Sequence, residues 1–119
     1  MALKSSETLR HLKKNNLQNY KNMVIEWLKI KVAPELREEF IQKDAIVWTP
    51  ALAKWDGFLG KEVWLDRTFP DQLIFIIHWQ TKEHWQAIPK DYLAATTLEF
   101  NQQFPHPSKI IEAQEYQIH

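Results

Sequence analysis

The run 72–79, QLIFIIHW, constrains the fold more than any other segment. It reads as a strand, and it is apolar on both parities. Leu73, Phe75, Ile77 and Trp79 fall on one, Ile74 and Ile76 on the other. Side chains alternate between the two faces of a sheet, so such a strand is covered on both sides. At 119 residues the chain is one domain by the usual prior of roughly 100–200 residues each. Two helices of that domain can cover one face of the sheet. The economical cover for the other face is a second copy of the same sheet. A homodimer is therefore expected.

The surrounding elements give the order strand, helix, strand, strand, helix, strand. Residues 23–32, MVIEWLKIKV, form the first strand, with Val24, Leu28, Ile30 and Val32 on one face and Ile25, Trp27, Lys29 and Lys31 on the other. Pro34 opens a helix, with Glu35, Glu38 and Glu39 near its positive end. Leu36, Phe40, Val47 and Ala51 make one apolar row, and Ile41, Ala45, Trp48 and Leu52 its neighbour. Pro50 must kink or break this helix near Trp48. Gly57 ends the segment as the left-handed residue. Residues 58–66 read as the second strand, and Asp66 and Asp71 suit the turn that follows. Thr81 caps a second helix, which Pro89 interrupts and Pro105 stops. Residues 109–118 form the last strand, with Ile110 and Tyr116 on one parity and Ile111 and Ala113 on the other. This α+β order, βαββαβ, predicts a ferredoxin-like four-stranded antiparallel sheet in the order 4-1-3-2.

Residues 1–22 form a basic N-terminal arm, and 23–119 the compact domain. The arm carries Lys4, Arg10, Lys13, Lys14 and Lys21 against Glu7, and Leu9 and Leu12 suit one short amphipathic turn. It reads as a solvated segment or a weak contact for an anionic partner. The whole chain balances fifteen Lys and Arg against fifteen Asp and Glu. That neutrality argues against a nucleic-acid partner, which needs a basic excess to displace counterions. No apolar run approaches the ~18 residues of a membrane span, and no continuous apolar segment marks a secretory signal. A cytoplasmic protein without a membrane partner is expected. With no cysteine, a disulfide scaffold, a thiolate metal site and a Cys nucleophile are excluded.

His78 and His84 are the candidate catalytic residues. His78 ends the third strand and His84 lies in the first turn of the next helix, and imidazole titrates near neutrality. The plainer alternative is a hydrogen-bonded His78 and a solvated His84. Trp79 and Trp85 flank the same junction and are candidate ligand-binding walls. Trp48 and Trp55 read as helix core, and Trp27 and Trp64 as cover for the dimer face. Glu26, on a central strand, is the carboxylate that would be functional if it faces inward, and it joins the ligand-binding set. No metal site is expected, because Glu83 is the only further ligand near the two histidines. Two glycines cannot build a phosphate-binding loop, and no G-x-S-x-G elbow occurs.

The segments VIEWLKIKVAPELREEFIQKDA, WTPALAKWDGFLGKEVWL, HWQTKEHWQAIP and EAQEYQI resemble an uncharacterised cyanobacterial family. That family looks like a branch of the dimeric α+β barrel proteins, near the antibiotic-biosynthesis-monooxygenase type. Gly57, Phe58, Gly60 and Trp79 carry the broader likeness. The resemblance implies two ferredoxin-like sheets packed face to face, with a cavity between helices and sheet in each protomer. It also implies a cavity for cofactor-independent oxygenation of electron-rich aromatics, for haem capture or degradation, or with no known activity. The late-helix histidine of haem-degrading members has no counterpart in 94–104, and Ile88-Pro89 fills the place of the mid-helix histidine of many monooxygenase-type members.

Three functions follow as expectations. The first is a pocket that binds or oxidises a small hydrophobic, aromatic compound without a cofactor, with His78 or His84 as base and Trp79 and Trp85 as walls. The second is a non-catalytic structural or regulatory homodimer whose aromatics are all packing. The third is haem binding, for which only His78, His84 or His106 could be the axial donor.

Overall fold

The computed structural model describes residues 22–119. All of the basic arm except Asn22 lies outside the described residues, and with it the Leu9–Leu12 turn. The chain runs β1 (Val24–Val32), a 3-10 turn (Pro34–Leu36), α1 (Arg37–Ile46), α2 (Trp48–Ala53), β2 (Phe58–Leu65), β3 (Gln72–Trp79), α3 (Lys82–Gln86), α4 (Lys90–Gln103) and β4 (Ser108–Gln117). The four strands form one antiparallel sheet in the order β2-β3-β1-β4. This is the ferredoxin-like arrangement that the sequence predicts, with the two apolar strands in the centre.

Strand alternation sorts the core into two sets. On one face, Ile30, Val32, Leu73 and Phe75 pack against Phe40 and Phe100 from the helices and Val47 and Phe104 from their ends. Val24, Ile77 and Trp79 of the same face pack against Leu52 and Ile88. On the other face, Met23, Ile25 and Ile76 gather with Trp27, Leu59, Ile74 and Ile118, none of which comes from a helix. The described helices therefore all lie on one side. Trp64, paired with Ile74, is half exposed on the other.

Proline divides both helical segments. The first was expected to kink or break near Trp48, and it breaks into two helices meeting at Val47, which has φ −110° and ψ −66°. Pro50 sits in the first turn of α2, where a backbone N–H has no intrahelical partner to lose. Pro89 likewise becomes the cap residue of α4. Asp66 closes the β2–β3 turn by accepting from the Thr68 and Phe69 backbone N–H groups at 2.8 and 2.9 Å. Those bonds favour the charged form and hold its carboxyl below the usual range.

Two β-bulges change which residues share a face. In β4 the partner of Lys29 is Glu112 and that of Ile30 is Ile110, so Ile111 is the extra residue. Ile110 thus lies on the helix-covered side with Ala113, while Tyr116 lies opposite Ile25 on the other. The expected grouping of Ile110 with Tyr116 is corrected by this bulge. In β2 the register shifts between Phe58 and Gly60. Phe58 opposite Trp79 and Lys61 opposite Ile77 consequently point to the same side.

Gly57 enters β2 with φ +89°, and a Cβ there would come within 2.3 Å of the His84 side chain. Gly57→Ala therefore meets both left-handed strain and a clash. It should lower stability by at least about 1–3 kcal/mol, with no change in the denaturant slope in urea unfolding.

Candidate functional site

A cavity of about 480 Å³ lies between the helices and the covered face of the sheet. Its walls are mostly apolar and aromatic, with Trp48, Trp79, Trp85, Phe75, Phe40 and Phe100 among them. Glu26, Lys61 and Asp44 enter this apolar space, and exposed Lys109 also belongs to its lining.

The sheet register places two of them in one lateral row. Ile77 of β3 is the partner of Lys61 on β2 and of Glu26 on β1. Adjacent strands lie ~4.8 Å apart, so the Cα atoms of Lys61 and Glu26 stand about 10 Å from each other with Ile77 between. Both side chains rise from the same face of that row. The Trp79 indole N–H donates to Glu26 Oε1 at 3.2 Å. Burial pushes the Glu26 carboxyl above its ordinary pKa, and the Trp79 bond and the nearby Lys61 charge offset part of that.

Asp44 comes from α1 and forms an ion pair with Lys61, both side chains being only 4% exposed. The Lys61 ammonium also stands over the Phe75 ring, 4.0 Å from its centroid. Desolvation raises the Asp44 pKa and lowers that of Lys61, while the pair's mutual attraction opposes both shifts. The two pKa values thus move toward each other.

Of the candidates read from sequence, Glu26, Trp79 and Trp85 all line this cavity. The two histidines do not. His78 alternates with Ile77 and Trp79, so it faces the other side of the sheet, and the expected cluster of His78 with Trp79 and Trp85 is divided by the sheet itself. There its Nε2 lies 2.6 Å from Glu62 Oε2, and its Nδ1 is buried with no hydrogen-bond partner among the described residues. His84 is engaged locally. Its backbone N–H donates to Thr81 Oγ1 at 3.1 Å, and its Nδ1 lies 2.6 Å from the same oxygen. His106 lies 3.6 Å from Glu39 and does not line the cavity. The haem reading, which needs an axial imidazole, therefore finds no donor in the cavity. Among the described residues no group of three or more His, Asp or Glu could hold a metal ion.

Sequence reading missed Lys61 and Asp44. Asp44 carried a signal, because it interrupts the apolar row of Leu36, Phe40 and Val47 at helical spacing. A charged residue in such a row is either a fault or a buried, paired group. Lys61 carried a weaker one, since its facing depends on the bulge before Gly60.

A family model for antibiotic biosynthesis monooxygenases matches residues 23–88, more than half of the chain. The chain therefore belongs to the antibiotic biosynthesis monooxygenase family. Solved structures repeat its fold. A conserved protein from Methanosarcina mazei Go1 is 17% identical, with a TM-score of 0.63 over 87% of this chain and 100% of that one. SnoaB, a cofactor-independent oxygenase from Streptomyces nogalater, is 17% identical, with a TM-score of 0.61 over 82% of this chain and 94% of that one. A conserved protein of unknown function from Bacteroides thetaiotaomicron is 16% identical, with a TM-score of 0.61 over 82% and 98%. At these identities the likeness concerns the fold. No curated protein matches the chain. No helix among the described residues is long and apolar enough to cross a membrane.

The Lys61–Asp44 pair makes a clear energetic expectation. Lys61→Met leaves a buried carboxylate unpaired and should cost about 3–5 kcal/mol at neutral pH, whereas Asp44→Leu/Lys61→Met should recover most of the loss. Without Lys61 the folded-state pKa of Asp44 rises further above its unfolded value. A raised carboxyl stabilises the fold below the unfolded pKa and loses that contribution as pH rises through the folded one. The deficit of Lys61→Met should accordingly shrink as pH is lowered toward 3.8, the ordinary Asp value. Urea unfolding at a series of pH values reads both effects.

Proposed function

We propose that the helix-side cavity binds a small, flat, hydrophobic aromatic compound and oxidises it with molecular oxygen, without a cofactor. The observation that carries this reading is the lateral row of Glu26 and Lys61 across Ile77, at the base of a cavity walled by tryptophan and phenylalanine. Flat aromatic ligands suit such walls. The polar groups give the chemistry. Glu26 takes a proton from an acidic position on the ring system. Lys61 supplies positive charge beside the anion that remains, in an environment where such charge acts strongly. Trp79 holds the Glu26 carboxylate in place. The resulting electron-rich anion reduces oxygen directly. For a ring methylene the balance is CH2 plus O2 to C=O plus H2O, and Glu26 returns its proton to the water formed.

Family membership and the fold shared with the cofactor-independent oxygenase SnoaB support this assignment of reaction class. The roles for His78 and His84 as base find no support in the cavity lining, and Glu26 takes that part. His78 instead belongs to the second face, which we propose is the contact between two copies of the chain. The apolar set Ile25, Trp27, Ile74 and Ile76 there, together with half-exposed Trp64, supports that reading. Native mass spectrometry should accordingly give a dimer, and a monomer at micromolar concentration would contradict it.

A base whose pKa is raised by burial works only above that raised value. With polycyclic phenols bearing an activated methylene, oxygen uptake in the absence of added cofactor should rise with pH through a midpoint above the ordinary carboxylate range. Glu26→Gln should lower kcat by about 10²–10⁴-fold and abolish that limb. A panel that quenches no cavity tryptophan and consumes no oxygen would sink the proposal.

A further inference from the structure

We propose that Lys61 is an imine-forming lysine, and that the ligand of this cavity carries an aldehyde or ketone which condenses with its amine. This deepens the reading of the cavity as a ligand site and rests on it. It also narrows the ligand class to carbonyl-bearing hydrophobic compounds.

Imine formation asks four things of a protein, and Lys61 has them within one cavity. The amine must reach the ligand space, and Lys61 lines the cavity although little of it meets bulk water. It must be able to shed its proton, because only the neutral amine attacks a carbonyl. Asp44 is bonded to that ammonium and receives the proton within the pair. The opposed pKa shifts of the two groups make this transfer accessible in the dry site. A proton donor is needed to turn the carbinolamine hydroxyl into water. Glu26 stands across Ile77 on the same face, and its raised pKa favours the protonated, donating form. Finally, the iminium needs a counter-charge, and Glu26 supplies it once its proton has left with the water, while Asp44 keeps the proton it took from Lys61. A cation there keeps the Phe75 ring beneath it.

The balance is closed. The Lys61 nitrogen forms a bond to the carbonyl carbon, and the carbonyl oxygen leaves as water. One water is released per imine, and no oxidant or reductant takes part. Condensation leaves Glu26 ionised beside an iminium that withdraws electrons from the adjacent carbon. The donor of the first step is thereby the base that the oxidation requires.

The test uses the full chain with trans-cinnamaldehyde as probe and cyanoborohydride to trap the imine. Intact mass should show one reduced adduct per chain, and peptide mapping should place it on Lys61. Labelling there should outpace that at half-exposed Lys31 and Lys82 by at least about tenfold, despite their exposure. Asp44→Asn should slow Lys61 labelling more than it slows the exposed lysines, and Lys61→Arg should remove the adduct while keeping the cation. In parallel, quenching of tryptophan fluorescence by 1-naphthol reports whether the cavity takes an aromatic at all. Naphthol binding with label spread over exposed lysines, or with Lys61 untouched, overturns the imine and leaves the cavity reading standing. Neither naphthol binding nor Lys61 labelling overturns both.

Discussion

The contact between Lys61 and Asp44 ties the edge strand β2 to helix α1 across the cavity. Each charge is removed from water, and each would be costly alone. Neither can leave without stranding the other. The pair therefore fixes the spacing between sheet and helix at the place where the interior is not filled by side chains. It also depends on the bulge at the start of β2. Without that extra residue Lys61 would point to the other face, and Asp44 would lose its charged partner in an apolar row. A local irregularity of the backbone is thus what permits a polar centre in the core.

Strand β3 divides the molecule's tasks. Its odd-numbered residues build the covered face and its cavity, and its even-numbered residues build the second face. One step along the chain separates Trp79, which donates to Glu26, from His78, which sits against Glu62 on the far side. The sheet is an electrostatic as well as a steric partition, since each face holds its own buried acid–base pair. Chemistry in the cavity and packing on the second face can therefore be altered separately by substitutions at adjacent positions.

Much of this was legible in the residues. The two-sided apolarity of 72–79, the prolines at 50 and 89 and the Gly57 turn give the element order and the central strands, because each acts through local geometry or period. Glu26 was legible as an inward carboxylate, since the parity of β1 is undisturbed as far as Lys29. Where parity reasoning failed, a bulge had intervened. It misplaced Ile110 in β4 and hid Lys61 in β2. The histidines misled for another reason. Proximity in sequence at a strand end says nothing of which face each side chain takes, and His84 is held at the Thr81 cap and packed against Gly57. Asp44 was visible as an interruption of a helical row, but its partner lies seventeen residues away on another element.

The charge balance of the cavity carries the argument one step further. Two carboxyls and one ammonium are buried together, and the ion pair neutralises one carboxyl only. The second, on Glu26, has a single neutral donor in Trp79. An ionised Glu26 would leave net negative charge in an apolar space, so the ligand-free site favours holding its proton. A ligand that brings positive charge, or one whose condensation with Lys61 leaves a proton on Asp44, removes that preference. The ionisation of Glu26 is then coupled to occupancy, and the base is made where and when a substrate is present to use it.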